Sequence, residues 1–236
     1  MHLNNGIQLT WLGHSTFKIE FDGKTTLVDP WVTHNPACPE ELKTFDQLDT
    51  ILITHGHADH VSDAVELAKE HSPTVVAIVE IAGWLGSKGV DNTIGMNKGG
   101  TVSVNGLNAT MVTANHSSSF TEEDGTTVYL GEPAGYVIEF SNGYKIYHAG
   151  DTNVFGDMQL IGSLYQPDLA LLPIGDHFTM GPREAAYAVQ LLNVPAIIPI
   201  HYGTFPVLTG TPEALRELTK DQNVEIVALK PGETLA

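Results

Sequence analysis

Apolar and polar residues alternate over residues 7–12, 16–21 and 25–28, the period of half-buried β-strands. Asp22-Gly23 between the second and third runs marks a tight hairpin. A proline-rich loop at 30–39 precedes the short apolar run 51–53, which reads as a buried strand. Val61, Ala64, Val65 and Ala68 then follow the i, i+3, i+4, i+7 spacing that predicts a helix over 61–70. Residues 74–79 read as a strand and 81–85 as the start of a helix. Further strands are predicted at 101–104, 107–113, 135–140, 145–147, 169–172 and 196–200, with Asn142-Gly143 as a second hairpin turn. Gly181-Pro182 introduces a helix over 183–192, Thr211-Pro212 opens another to about residue 220, and 224–229 closes the chain. Strands and helices occur in both halves, so two sheets packed on each other with helices outside would bury these runs. No linker or repeat interrupts the chain, and one α+β domain over 1–236 is predicted.

Between the strand at 51–53 and the helix at 61–70 lies Thr54-His55-Gly56-His57-Ala58-Asp59-His60. Imidazoles and carboxylates both offer lone pairs to divalent ions, and four such donors within six residues is a metal-ligand density. In extended chain, residues two apart share a side, so His55 and His57 can serve one ion. Asp59 and His60, at the turn into the helix, can point to a second. A chance match to this pattern is on the order of one in a thousand. The competing explanation is a surface histidine cluster, which the strand–turn–helix setting disfavours.

One such turn cannot complete two coordination shells. His116, Asp151 and His201 each follow a predicted strand, where loops gather and sites form. In this order the set resembles the metallo-β-lactamase superfamily of binuclear metal hydrolases, over essentially the whole chain. The segments Gly13-His14-Ser15-Thr16-Phe17, Asp29-Pro30-Trp31, His148-Ala149-Gly150-Asp151-Thr152, Pro173 to Met180 and His201 to Pro206 resemble a branch of bacterial and archaeal metal-dependent hydrolases. That branch is similar to the ascorbate-6-phosphate lactonases and, more distantly, to the N-acylphosphatidylethanolamine phospholipases.

The resemblance implies a four-layer αββα sandwich with a metal site along one edge of the two sheets. It implies that His55, His57 and His116 bind one metal, Asp59, His60 and His201 bind a second, and Asp151 bridges both. Two divalent ions, zinc or manganese with iron as a third option, less the charges of Asp59 and Asp151, leave an excess of positive charge. That excess favours a bridging hydroxide and an oxyanionic substrate. Asp59, Asp151 and His177 are the candidate catalytic residues. His14 and His177 are placed near the substrate by resemblance, Tyr202 and Phe205 are candidates to line the pocket, and Asp29 is a candidate to orient a ligand imidazole. The polar stretch 117–131 reads as a substrate-covering loop or a solvated hairpin.

Composition narrows the partners. The 236 residues are 42% hydrophobic and carry a formal net charge of −17, with no basic cluster to hold a nucleic acid or an anionic membrane. Cys38 is the one cysteine, so neither an internal disulfide nor a thiolate-rich zinc site is available. No export signal or membrane span is visible, so a cytoplasmic protein is expected, with a small-molecule substrate and, in a homo-oligomer, further copies of the chain as partners. The leading expectation is a hydrolase of a lactone, ester or similar acyl compound. The alternatives are a phosphodiesterase for a small or lipid phosphodiester, and a catalytically idle metal-binding protein on the same scaffold.

Overall fold

The computed structural model describes residues 2–236. Along the chain, β1 (Gln8–Trp11), β2 (Phe17–Phe21) and β3 (Lys24–Val28) form a meander, with Asp22 and Gly23 both left-handed at its tight turn. A crossover leads to β4 (Thr50–Leu52), α1 (Ala58–Val61), α2 (Ala64–His71), β5 (Thr74–Ile78), α3 (Val79–Ser87) and β6 (Thr93–Met96). The second half runs β7 (Thr101–Val104), β8 (Leu107–Thr113), the small hairpin β9 (Ser119–Thr121) and β10 (Thr127–Tyr129), β11 (Ala134–Phe140) and β12 (Lys145–His148). It continues through α4 (Met158–Tyr165), β13 (Leu169–Pro173), α5 (Pro182–Leu192), β14 (Ala196–Ile200), α6 (Pro212–Thr219), β15 (Glu225–Ile226) and β16 (Thr234–Leu235).

Two seven-stranded mixed sheets result, in the orders β16-β1-β2-β3-β4-β5-β6 and β15-β14-β13-β12-β11-β8-β7. Strand alternation divides the burial. Leu169 and Leu171 of β13 join the core shared with the first sheet, whereas Ala170 and Leu172 pack against α4, α5 and α6. Val61, Leu67, Ile81 and Leu85 bring α1 to α3 into the core of the first sheet. Among the described residues, no helix is long and apolar enough to cross a membrane.

The strand directions position the site. In the first sheet β1, β3 and β4 run the same way, and in the second β8, β12, β13 and β14 do. Their C-terminal ends therefore share one edge of each sheet, and each delivers a loop there.

Several elements differ from the sequence pattern. The predicted helix over 61–70 is split into α1 and α2, because the Asp63 N–H donates to the Pro30 carbonyl while its carboxylate accepts from the Val32 and Thr33 amides. Val79 starts α3 rather than ending β5. The final predicted strand contracts to β15, and the chain returns to the first sheet, where β16 pairs antiparallel with β1.

Candidate metal centre

β4 ends at Leu52, and the following turn carries buried Thr54, His55 and His60 with the partly exposed His57 and Asp59. Gly56 is required there, since a Cβ would stand 2.5 Å from Leu130 Cδ1. β12 delivers Asp151, β14 delivers His201, β8 delivers His116, and β1 delivers His14.

Asp151 stands at the centre of these loops. Its Oδ2 lies 2.9 Å from His201 Nε2, 3.4 Å from His60 Nε2, 3.6 Å from His116 Nε2 and 3.9 Å from His55 Nε2. His55, His57 and His116 form one group whose donor atoms lie within 4.8 Å of one another, and His14, Asp59, His60 and His201 form a second.

Asp29 and Thr54 occupy the Nδ1 atoms of His60 and His55, and His55 Nε2 meets His57 Nδ1 at 3.0 Å. Asp29 Oδ2 accepts from His60 Nδ1 at 2.8 Å and from the Thr54 hydroxyl at 2.7 Å. That hydroxyl has spent its only proton, so it accepts from His55 Nδ1 at 3.0 Å. In the neutral form of each ring the proton is thereby placed on Nδ1 and the lone pair on Nε2, 3.4 Å from Asp151 Oδ2 in His60 and 3.9 Å in His55. Among the described residues, the buried His60 Nε2, His201 Nδ1 and Nε2, and Asp151 Oδ1 have no hydrogen-bond partner. Buried imidazole nitrogens and a carboxylate oxygen left unpartnered in one cluster are atoms that a cation would engage, so the donor set fits divalent metal.

A family model for the Beta-lactamase superfamily domain matches residues 24–202. The chain belongs to this superfamily. It is 52% identical to a UPF0173 metal-dependent hydrolase of Rubrobacter xylanophilus, covering 98% of this chain and 96% of that one. It is 54% identical to another from Koribacter versatilis, with 97% of each chain covered. Among solved structures it resembles Igni18, a metallo hydrolase of the archaeon Ignicoccus hospitalis, with a TM-score of 0.84, 39% identity and 97% of each chain covered. The protein is thus a metal-dependent hydrolase with the metallo-β-lactamase fold.

The electrostatics of this hydrolase follow from burying so many ionisable groups. Burial, with the adjacent His60, drives the His55 imidazole well below its ordinary value, and burial with neighbouring His201 takes His14 down to about 4. Burial alone would raise the Asp59 carboxyl, but His60 and the hydrogen-bonded His14 outweigh it and hold the group well below the carboxylate range. His201 and His60 do the same for Asp151. His60 itself is disfavoured as a cation by burial, yet Asp151, Asp59 and Asp29 together raise it well above the usual histidine value. The raised His60 imidazole thus lies among the carboxylates of Asp151, Asp59 and Asp29.

Within its group His14 contacts a ligand candidate directly: its Nε2 lies 3.1 Å from Asp59 Oδ2 and its Nδ1 3.0 Å from Thr204 Oγ1. Trp31 and Phe205 stand edge-on to the His14 ring. Two candidates from the sequence lie apart from the cluster. His177 is exposed, with its ring against Phe178, on a loop tied to the Asp151 turn by the Met180 N–H to Thr152 carbonyl bond. Tyr202 stacks on Trp11, and the charges nearest its phenol are Glu213 and Arg216.

Sequence reasoning passed over Thr54, Ser117, Ser118 and Thr204. Ser117 Oγ meets His57 Nε2 at 3.1 Å, and Ser118 Oγ accepts from the Gly56 amide. Thr54 and Ser117 adjoin a histidine in the sequence, whereas Ser118 and Thr204 lie two and three positions beyond one. The stretch 117–131 contains the β9–β10 hairpin, which docks on α3 through Trp84 Nε1 donating to Glu122 and Lys88 pairing with it.

Proposed function

We propose that this hydrolase binds two divalent cations and cleaves a lactone, ester or similar small acyl compound. His55, His57 and His116 would hold one ion, Asp59, His60 and His201 the other, with Asp151 between them. The observation that carries this reading is Asp151 Oδ2 within 3.9 Å of four imidazole Nε2 atoms. When bound, such ions supply an activated water and polarise the scissile group.

The chain's own residues do the rest. Asp29 and Thr54 keep the His60 and His55 lone pairs turned inward. His14 fixes Asp59, whose partly exposed carboxylate can then take a proton from the attacking water at Oδ1, the oxygen His14 does not occupy, and return it to the leaving group. Partly exposed Phe205, packed against buried Trp31 beside His14, offers apolar surface to an acyl chain. His177 would contact substrate from the loop tied to the Asp151 turn. The net charge of −17, with no basic cluster in the sequence, supports a small acyl substrate over a polyanion.

The test is a hydrolysis screen across lactones, esters and phosphodiesters on protein of measured metal content, with His57→Ala and Asp151→Ala as controls. Acyl substrates should turn over and both variants should be inactive, Asp151→Ala with less metal. Phosphodiester cleavage without acyl cleavage overturns the substrate class. Stoichiometric metal with no turnover on the whole panel overturns the enzymatic reading, and an active Asp151→Ala protein overturns the role of Asp151.

A further inference from the structure

His148 ends β12, three residues before Asp151, and is fully buried with its ring edge-on to Phe17 of β2 in the opposite sheet. Both ring nitrogens are engaged. Nε2 lies 2.9 Å from the Ser15 carbonyl oxygen, and Nδ1 lies 3.1 Å from the Gly150 amide nitrogen. A carbonyl only accepts, so Nε2 carries the proton. An amide N–H only donates, so Nδ1 carries the lone pair. One neutral tautomer satisfies both partners.

Gly150 is the residue that aims Asp151. It is left-handed at φ 62°, and a Cβ there would stand 2.7 Å from the Ala134 carbonyl oxygen and 2.9 Å from Thr54 Cβ. The turn is thus pressed against the same Thr54 that orients His55, and it has no side chain with which to anchor itself. Its amide is held by His148. Ser15, on the other side of the ring, follows His14, whose carbonyl accepts from the His201 amide at 3.0 Å. His148 therefore spans the two sheets, with one nitrogen on the His14–Ser15 turn and the other on the Gly150–Asp151 turn.

We propose that His148 is the positioning residue for Asp151. The Ser15 carbonyl sets the ring tautomer, and the ring in turn holds the Gly150 N–H that orients the carboxylate toward the four imidazoles. This rests on the reading of Asp151 as a metal ligand. A histidine that only filled space would need its shape but neither hydrogen bond.

Two substitutions separate the bonds. Asparagine places its Oδ1 where Nδ1 stands and retains the Gly150 bond. Glutamine places its amide nitrogen where Nε2 stands, retaining the Ser15 bond and abandoning Gly150. Cobalt(II) is titrated into metal-stripped full-length wild type, His148→Asn, His148→Gln and Asp151→Ala, reading stoichiometry, affinity and visible absorption bands.

His148→Asn should bind within about threefold of wild type with the same bands, and His148→Gln at least about tenfold more weakly with shifted bands. Equal affinities and bands in the two variants overturn the proposal. If His148→Gln does not fold, His148→Asn decides, and weakening to the level of Asp151→Ala overturns it. A long-range proton–nitrogen spectrum of wild type should show the His148 Nε2–H tautomer, and the Nδ1–H tautomer would overturn the proposal without any variant. Equal cobalt uptake by wild type and Asp151→Ala instead overturns the metal reading of Asp151, and this proposal with it.

Discussion

Asp29 Oδ2 accepts a hydrogen bond from His60 Nδ1 at 2.8 Å, with both side chains fully buried and 31 positions apart in the chain. Asp29 is itself left-handed at φ 51°, a conformation held by the Thr54 amide and hydroxyl that also bond its carboxylate. Replacing Asp29 by asparagine preserves shape but puts a neutral amide beside His60. Zinc affinity should fall about 10- to 100-fold in Asp29→Asn while the protein stays folded. Competition against a chromophoric chelator measures this, and unchanged affinity would remove Asp29 from the account.

Two glycines give opposite expectations. An added Cβ at Gly56 would lie 2.5 Å from Leu130 Cδ1 and 2.6 Å from its Cβ, whereas one at Gly83 in α3 would meet nothing within 4 Å. Gly56→Ala should destabilise by about 1–3 kcal/mol through overpacking. Gly83→Ala should stabilise by about 0.4–1 kcal/mol by restricting the unfolded chain. Urea midpoints of the two variants should move in opposite directions.

Tyr136 reaches across from β11 to the first sheet, its hydroxyl donating toward the Ile53 carbonyl at 3.1 Å and the Val76 carbonyl at 3.3 Å. Loss of that hydroxyl in Tyr136→Phe strips a buried bond next to the metal-site turn. A cost of about 1–2 kcal/mol is expected in chemical denaturation. A midpoint equal to wild type would show that the two carbonyls are satisfied without the tyrosine.

Acid should weaken the metal-free protein before the carboxylates of Asp59 and Asp151 titrate. Burial and neighbouring His201 put His14 at about 4 in the folded chain, against 6.5 in the unfolded one. Burial also lowers His55 and His148. Between those values the unfolded chain binds more protons, so this stability is complete above pH 6.5 and is lost as pH falls toward 4. His14 alone accounts for up to about 3 kcal/mol. His60 runs the other way: its folded value is raised, so its contribution is complete below 6.5 and is lost only as pH climbs through the raised value. Urea midpoints of chelator-treated protein at pH 7, 5.5 and 4.5 should decrease in that order. A flat series would contradict the neutral, buried state of these rings.

Much of the architecture was legible in the alternation of residues. The hairpin at Asp22-Gly23, β7, β8 and β14 fall where apolar period and turn chemistry put them. α4 was not legible, because Leu160 and Leu164 remain exposed and blur its stripe. β16 has only two residues and exists because β1 offers it an edge. The break after Val61 depends on Asp63 meeting the backbone at 30–33, a contact no local periodicity encodes.

By itself the sequence determined the donor inventory and its chemistry: histidines and aspartates at strand ends, a glycine between two histidines, and a negative net charge. Those are properties of residue type and local spacing. The tertiary structure alone decided which nitrogens face inward, that His14 serves Asp59, that Tyr202 turns toward α6 while His177 stays exposed, and that His148 joins the two sheets. Those outcomes depend on hydrogen bonds between residues tens to more than a hundred positions apart, such as His148 and Ser15. Such bonds form only once two sheets have packed face to face and brought the ends of their strands to a common edge.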